Sequence, residues 1–178
     1  SKVKPNDFSN FKNIGIKTLG VDPAKNICQI ANKRGIKTIN SFFNQKICHK
    51  IKRKYGRSKI ITGSNVFAHI DDLDEFFKSV KILLKTDGVL IVEVPYFLNL
   101  IKNLEYDTIY HEHLSYITLL PLIKYLNKKN LEIFDVEEKD IHGGSIRIFI
   151  GIKKKLKKSK KLKKILKKEK QSKLNDMN

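Results

Sequence analysis

The sequence predicts an α/β protein with a mostly parallel sheet that ends in an antiparallel hairpin. Up to Pro95, short aliphatic runs alternate with amphipathic helical runs. Repeated strand–helix–strand units with continuously apolar strands are typical of parallel sheets covered on both faces. Beyond Pro95 the alternation ends, and the last two strands are joined by a short loop that holds Gly143 and Gly144. This loop is too short for a parallel crossover, so these two strands should pair antiparallel.

The first half of the chain predicts four strands separated by three helices. Gly35 ends the first helix, Gly56 ends the second, and Asp71 or Asp72 caps the third. In the third helix, apolar residues recur at the i, i+3, i+4, i+7 spacing of a buried face. The strands cover residues 18–22, 36–40, 59–64 and 89–94, the first two helices cover residues 24–33 and 47–55, and a turn at residues 86–88 precedes the fourth strand.

The second half predicts two more helices, a polar stretch and the hairpin. The helices cover residues 96–104 and 119–127, the polar stretch covers residues 105–116, and the two strands cover residues 131–138 and 145–152. We therefore divide the chain into one domain, residues 1–152, and a lysine-rich helical tail, residues 153–178.

Positive charge is concentrated in this tail. The chain has 37 Lys and Arg residues against 18 Asp and Glu residues, a formal charge of +19, and residues 153–173 hold thirteen lysines and one acid. Only four of the cations are arginines, whereas sequence-specific readers of nucleic acids depend on the bidentate arginine fork. We predict no specific nucleic-acid partner and interpret the tail as a solvated helix face with a thin apolar seam. Sequence-blind binding to a membrane or a nucleic acid is the alternative.

The two cysteines, Cys28 and Cys48, lack the spacing of a zinc site or a disulfide scaffold. Both fall on the apolar side of predicted helices, so we expect core packing, no metal site and a reducing, cytoplasmic location. No aliphatic run approaches the ~18 residues that span a bilayer, so we predict no membrane span.

The first candidate for chemistry is Asp22, at the end of the first predicted strand. Ligands of open parallel sheets lie beyond the carboxyl ends of the strands, where an acid can accept hydrogen bonds from an adenosine ribose. Asp22 could equally cap the helix that follows Pro23. A glycine-rich cofactor loop is expected ~20 residues before such an acid. Residues 1–13 contain no glycine. We therefore predict that the strand and the glycine-rich loop that normally precede such an acid, the first strand of a complete sheet, are missing.

The densest polar cluster lies in residues 107–116, beyond the fourth strand. Tyr110, His111, Glu112 and His113 are consecutive, and a buried core has no use for so many groups that each need a partner. The histidines are two positions apart rather than four, which disfavours a zinc site. We predict proton-transfer chemistry here, with a purely structural polar loop as the alternative.

Two further polar segments follow strand ends. Asn65 follows the third strand and could bind a ligand or simply end the strand, and nearby His69 is interpreted as a structural histidine. The hairpin loop combines two glycines with polar neighbours, which serves either an ordinary turn or a backbone cradle for an anion. Its members are His142, Gly143, Gly144, Ser145 and Arg147.

Together, five blocks resemble the S-adenosylmethionine-dependent C-methyltransferases that act on nucleotide-linked deoxysugars. The blocks are Gly-Val-Asp-Pro-Ala at residues 20–24, Asn-Val-Phe-Ala-His-Ile at 65–70, Glu-Val-Pro-Tyr at 93–96, Tyr-His-Glu-His-Leu-Ser-Tyr at 110–116 and His-Gly-Gly-Ser-Ile-Arg at 142–147. They run in the family's order within a resemblance that extends from about Phe8 to Glu169. The Tyr-His-Glu-His and His-Gly-Gly-Ser blocks are specific to this group, whereas the Asp22 block is generic.

The resemblance implies the class I methyltransferase fold, which is a Rossmann-like sheet, with S-adenosylmethionine as cofactor and a nucleotide-linked keto-deoxysugar as substrate. It also implies roles for the cofactor-binding residues. Asp22 with Pro23 would hold the ribose, and Asn40 or Phe42 would lie near the adenine. The methionine end of the cofactor would lie near Asn65 and Val66.

For the catalytic residues, the resemblance implies that His113 is the general base, with Tyr110, His111 and Glu112 as its neighbours. The hairpin-loop residues would bind the substrate. Family members also carry an amino-terminal zinc-binding cysteine cluster, a glycine-rich cofactor loop and a further carboxy-terminal region, which this sequence lacks. We therefore expect the chain to be truncated at both ends and its activity to depend on those pieces.

Two other function classes stay open on the sequence alone. A nicotinamide-dependent oxidoreductase would use the same sheet and the same acid at position 22, but it gives no account of the Tyr-His-Glu-His block. A non-catalytic basic binding protein would depend on the lysine-rich tail.

Overall fold

The computed structural model describes residues 15–106, 109–140, 144–154, 156–172 and 174. Each strand and helix predicted from the sequence is found, with ends that differ by a few residues. The strands are β1 (Gly20–Asp22), β2 (Thr38–Asn40), β3 (Ser58–Ser64), β4 (Leu84–Pro95), β5 (Leu131–Lys139) and β6 (Ser145–Ile152). The helices are α1 (Lys25–Lys33), α2 (Gln45–Tyr55), α3 (Leu73–Leu83), α4 (Phe97–Lys102), α5 (Leu119–Lys128) and α6 (Lys160–Gln171), with a 3₁₀ turn at Phe67–His69.

The strands form two sheets. β1 and β2 pair in parallel, and β3, β4, β6 and β5 form a four-stranded sheet in that order. β3 and β4 are parallel, whereas β6 runs antiparallel to both β4 and β5, as predicted for the final hairpin. Within the described residues, no ladder of hydrogen bonds joins the two sheets. Side chains of α2 pack against both, because Ile47 and Cys48 share a cluster with Val21, Ile39 and Ile61.

The turn predicted at residues 86–88 is instead a bulge inside β4. Ser58 pairs with Leu84, but Ile60 already pairs with Val89, so β4 carries extra residues that the ladder skips. Gly88 allows this close approach, since a Cβ there would lie 2.9 Å from the Lys59 carbonyl oxygen. The apolar run therefore continues as one strand through a region that reads locally as a turn.

The carboxyl ends of β2 and β3 lie on the same side of the molecule. At the start of α2, just beyond β2, the backbone N–H and the side-chain amide of Gln45 donate to the two carboxylate oxygens of Glu75, at 2.8 and 2.6 Å. Glu75 lies in the first turn of α3, shortly after β3. At the opposite end, Arg57 Nη1 donates to the carbonyls of Lys81 and Leu84, at 3.1 and 2.8 Å. Both strands therefore point their carboxyl ends toward one edge.

The lysine-rich helix α6 packs on the main core. Leu162 and Ile165 are buried in that core, and Leu166 packs against it. The predicted apolar seam is therefore present and covered by protein, while the lysines of α6 are exposed.

Both cysteines are buried and free, as predicted. Burial raises the pKa of the Cys48 thiol to about 12, with the charge of Glu75 adding to the effect. The helices in the described part of the chain include none with the length and apolarity needed to cross a bilayer.

Candidate active site

The polar segment after β4 folds back onto the end of that strand. Tyr96, directly after β4, forms a parallel bridge with Ile117, and the Phe97 N–H donates to the Ile117 carbonyl at 3.2 Å. Tyr96 is buried. Residues 109–116 are thereby held at the carboxyl edge of the four-stranded sheet.

The 3₁₀ turn after β3 is fastened to the same segment. The Leu114 N–H donates to the Ala68 carbonyl at 2.9 Å, and His69 Nδ1 lies 2.6 Å from the Glu112 carbonyl oxygen. Because a carbonyl only accepts hydrogen bonds, this contact places a proton on His69 Nδ1, so in the neutral ring Nε2 carries the lone pair. The turn after β3 and the segment after β4 therefore form one unit.

His113 lies among three other polar rings at this edge. The Tyr110 hydroxyl is 3.2 Å from His113 Nε2, and the centroids of these two rings are 4.3 Å apart. The ring of His69 is 5.1 Å from that of His113, and the ring of Tyr116 is 6.2 Å away. This group combines a proton acceptor with a hydroxyl donor at a partly exposed surface, which is the equipment of general acid–base chemistry.

Two of the predicted catalytic residues lie at the rim of this group. His111 and Glu112 are both exposed, and the ring of His111 is 6.1 Å from that of Tyr110. Glu112 contacts His69 through its backbone carbonyl, and its carboxylate forms no hydrogen bond or ion pair with the described residues. A role for either side chain in the reaction stays a prediction.

At the end of β1, Asp22 uses one carboxylate oxygen to hold the start of α1. Its Oδ1 accepts from the Ala24 N–H at 2.7 Å. Ala24 is itself the N-cap residue and has no side-chain cap hydrogen bond, so Asp22 fixes the turn into α1 without occupying the capping position considered from the sequence. The Asn40 amide donates to the carbonyls of Asp22 and Pro23, at 3.2 and 2.7 Å. Asp22 Oδ2 forms no hydrogen bond with a described residue and can still accept from a ligand.

Exposed apolar side chains stand beside these carboxyl ends. Phe42, just beyond β2, is 72% exposed, and Val66, just beyond β3, is 47% exposed. Asn65 adopts a φ of 55°, a left-handed conformation that asparagine tolerates better than most residues. Its N–H donates to the Glu93 carbonyl at 2.9 Å, which fixes the turn to β4.

The sequence of residues 6–136 matches the family model described as a methyltransferase domain. The chain belongs to this methyltransferase family. It is 41% identical over 139 residues to the C-methyltransferase NovU of Streptomyces niveus, an alignment that covers 78% of this chain and 33% of that protein. The chain thus spans about a third of the length of the curated relative it matches.

Solved methyltransferases share the fold of this domain. An S-adenosylmethionine-dependent methyltransferase from Anabaena variabilis superposes with a TM-score of 0.58 at 17% identity, covering 83% of this chain and 73% of that one. The plantazolicin methyltransferase BpumL, solved with a pentazolic desmethylPZN analogue and SAH, gives 0.59 at 8% identity, covering 81% and 70%. The class I fold predicted from the sequence is confirmed. Fold and family are those of S-adenosylmethionine-dependent methyltransferases, not of the nicotinamide-dependent alternative.

In this methyltransferase domain, the hairpin residues are fastened next to Tyr96. The Gly144 carbonyl accepts from the Tyr96 N–H at 3.1 Å. Gly144 has a φ of +104°, and a Cβ there would lie 2.5 Å from the Asn99 side-chain nitrogen, so the position requires glycine. Ser145 is buried at the start of β6. The other predicted members of this loop, His142 and Gly143, lie outside the described residues.

Arg147 is the only arginine or lysine predicted for the substrate site. Its guanidinium forms ion pairs with carboxylates on the two strands that flank β6. Its Nε and Nη2 lie 2.9 and 2.8 Å from Glu93 Oε2, and its Nη1 lies 3.6 Å from Glu137 Oε2. Glu93 is buried, so the guanidinium neutralises a carboxylate that would otherwise be costly to bury. Binding of an anionic substrate by Arg147 stays a prediction.

The hydrogen bond between His69 and the Glu112 carbonyl fits the structural role predicted for this histidine, but its ring also packs beside that of His113, which the sequence did not predict. A signal was available, because His69 stands four residues after Asn65 and therefore beyond the carboxyl end of β3. A strand parallel to β4 delivers whatever follows it to the same sheet edge.

Proposed function

We propose that this domain belongs to an S-adenosylmethionine-dependent C-methyltransferase that acts on a nucleotide-linked keto-deoxysugar. The observation that carries the proposal is the meeting of Tyr110, His113 and His69 at the sheet edge toward which β2 and β3 point. The name of the Streptomyces niveus relative, a C-methyltransferase, supports transfer to carbon. The sequence resemblance supports the sugar substrate.

The residues beyond β1, β2 and β3 fit S-adenosylmethionine. Asp22 offers Oδ2 as an acceptor for ribose hydroxyls, the exposed ring of Phe42 offers a stacking face for adenine, and Val66 offers apolar contact. Pro23 follows Asp22 in the sequence and Asn65 precedes Val66, and these two residues complete the predicted cofactor-binding set. The cofactor, when bound, supplies an electrophilic methyl group to the substrate carbon.

The catalytic task of the chain's own residues is to remove a proton. A carbon beside a ketone becomes nucleophilic only when it loses a proton, and the resulting enolate places negative charge on the ketone oxygen. We assign proton removal to the His113 imidazole. We assign stabilisation of the enolate oxygen to the Tyr110 hydroxyl, which lies 3.2 Å from His113 Nε2 and so beside the same substrate atoms. His69, held by the Glu112 carbonyl, supports the His113 ring.

Product analysis tests this function. The full-length protein is incubated with methyl-labelled S-adenosylmethionine and a nucleotide-linked keto-deoxysugar, with the corresponding alcohol sugar as the matched control. We expect a new carbon–carbon bond beside the ketone and no transfer to the alcohol, which lacks an acidic carbon. Label on oxygen or nitrogen, or equal transfer to both sugars, would contradict the proposal.

Replacing Asp22 with asparagine separates its two roles. Asparagine keeps an Oδ1 acceptor for the Ala24 N–H but loses the charged acceptor offered to the ribose. A hydrogen bond to a charged group contributes ~1.5–3 kcal/mol. We expect the variant to bind S-adenosylhomocysteine at least tenfold more weakly by calorimetry, with an unchanged melting temperature.

The matched control for this variant is Asp87→Asn. Asp87 is exposed and pairs with Lys59 in the bulge of β4, far from the carboxyl edge. The Asp87→Asn variant should bind S-adenosylhomocysteine with the affinity of the wild type. If Asp22→Asn also binds normally, Asp22 only holds the turn into α1 and takes no part in cofactor binding.

A further inference from the structure

Five lysines form a stripe along the outer face of α6. Each lies three or four positions from another member of the set, so their side chains share one face of the helix, and all are exposed. The stripe consists of Lys160, Lys163, Lys164, Lys167 and Lys170. We call it the lysine stripe.

Within the described residues, ion pairs with acids do not neutralise the lysine stripe. The ion pairs of α6 lie on its flanks, where Lys161 is 3.8 Å from Glu137 and Lys168 is 3.1 Å from Glu138. No stripe lysine forms an ion pair with any acid in the described part of the chain. Like charges at i, i+4 spacing repel one another, so a bound polyanion would relieve a repulsion that is built into the helix.

The helix holds these charges in place because its other face is anchored. Glu169 is 1% exposed. Its carboxylate accepts from the Tyr96 hydroxyl at 2.7 Å and from the N–H groups of Leu119 and Leu120, at 2.6 and 2.8 Å. With Leu162 and Ile165 also buried, no apolar face is available for insertion into a bilayer, which a membrane-surface helix requires. The lysine stripe is a preformed cationic surface.

We propose that the lysine stripe binds the phosphate backbone of nucleic acid without sequence preference. From the first stripe lysine to the last, the stripe runs ~15 Å along the helix axis at ~1.5 Å per residue, which is long enough to face several phosphates of one backbone. Lysine is a compact point charge suited to phosphate. α6 contains neither arginine nor an aromatic residue, so it has no means of bidentate base readout or base stacking. This binding is separate from the proposed methyl transfer.

Fluorescence anisotropy with a labelled, mixed-sequence single strand of about 16 nucleotides tests the proposal. Five phosphate contacts predict a log–log salt slope of about −3.5 and a roughly hundredfold loss of affinity between ~50 and ~200 mM salt. Changing all five stripe lysines to glutamine should cost at least tenfold in affinity and remove most of the slope. Changing them to arginine should preserve both, which guards against misreading a folding defect.

The matched control removes the same charge elsewhere. Five exposed lysines on other elements are changed to glutamine, and this variant should bind within about threefold of the wild type. The control positions are Lys33, Lys46, Lys50, Lys85 and Lys128. Equal losses of affinity in both glutamine variants would show that the total charge of the protein alone attracts the oligonucleotide. Tighter binding to phosphatidylserine vesicles than to the oligonucleotide would assign the stripe to a membrane surface. Either result overturns the proposal.

Discussion

The His113→Asn variant of the full-length protein should transfer methyl groups ~10²–10⁴-fold more slowly than the wild type. Asparagine preserves the polarity and approximate size of the side chain but cannot take up a proton at neutral pH. The loss should appear in kcat, because proton removal belongs to the chemical step rather than to binding. The affinity for S-adenosylhomocysteine, measured by calorimetry, should be unchanged.

The control for this variant is His49→Asn. His49 is exposed on α2 and is not among the rings that pack around His113, so its replacement should leave kcat unchanged. A His113→Asn enzyme that keeps most of its turnover would remove His113 from the role of base. If His69→Asn alone then abolished turnover, the role would pass to His69.

The second large effect concerns folding. Glu169→Ala should lower the free energy of unfolding by ~3–5 kcal/mol. The variant leaves the Tyr96 hydroxyl and two N–H groups at the start of α5 without their acceptor, and the helix has no side-chain cap at Thr118 to replace it. Burial, together with the Glu169 carboxylate, raises the pKa of Tyr96 well above its usual range, so this hydroxyl stays a donor. Urea denaturation followed by circular dichroism measures the loss.

Glu138→Ala is the matched control for Glu169→Ala. Glu138 is half exposed on β5 and pairs with Lys168 of the same helix, so its replacement should change stability by less than ~1 kcal/mol. Glu169→Gln keeps the shape of the side chain and loses its charge. Its free energy of unfolding should lie between those of Glu169→Ala and Glu138→Ala. Equal stability of Glu169→Ala and Glu138→Ala would mean that α6 is not anchored by the buried carboxylate.

Local patterns were sufficient to predict the order and type of the elements. The apolar spacing of α3, its cap at Asp72 and the short connection before β6 are each encoded within a few residues, and all are found. The turn predicted at residues 86–88 shows the limit of such patterns. Whether Asp87 and Gly88 end a strand or bulge from it depends on the register with β3, which no local pattern contains.

Contacts between distant parts of the chain were not predictable for the same reason. Glu169 lies among lysines in the sequence and reads as one more surface charge, yet it caps a helix about fifty positions earlier. Arg147 reads as a free cation beside glycines, and its ion pair with Glu93 depends on the pairing of β4 with β6. His69 gains its neighbour, His113, only because β3 and β4 are parallel.

Deuterium exchange at the substrate carbon beside the ketone tests the central claim most directly, namely that the segment around His113 removes a proton from substrate. The full-length protein is incubated with the keto-sugar in heavy water, with S-adenosylhomocysteine in place of the methyl donor, and the sugar is examined by mass spectrometry. We predict that the wild type incorporates one deuterium and that His113→Asn slows this exchange by the same factor as methyl transfer. Exchange at the wild-type rate in His113→Asn would contradict the account.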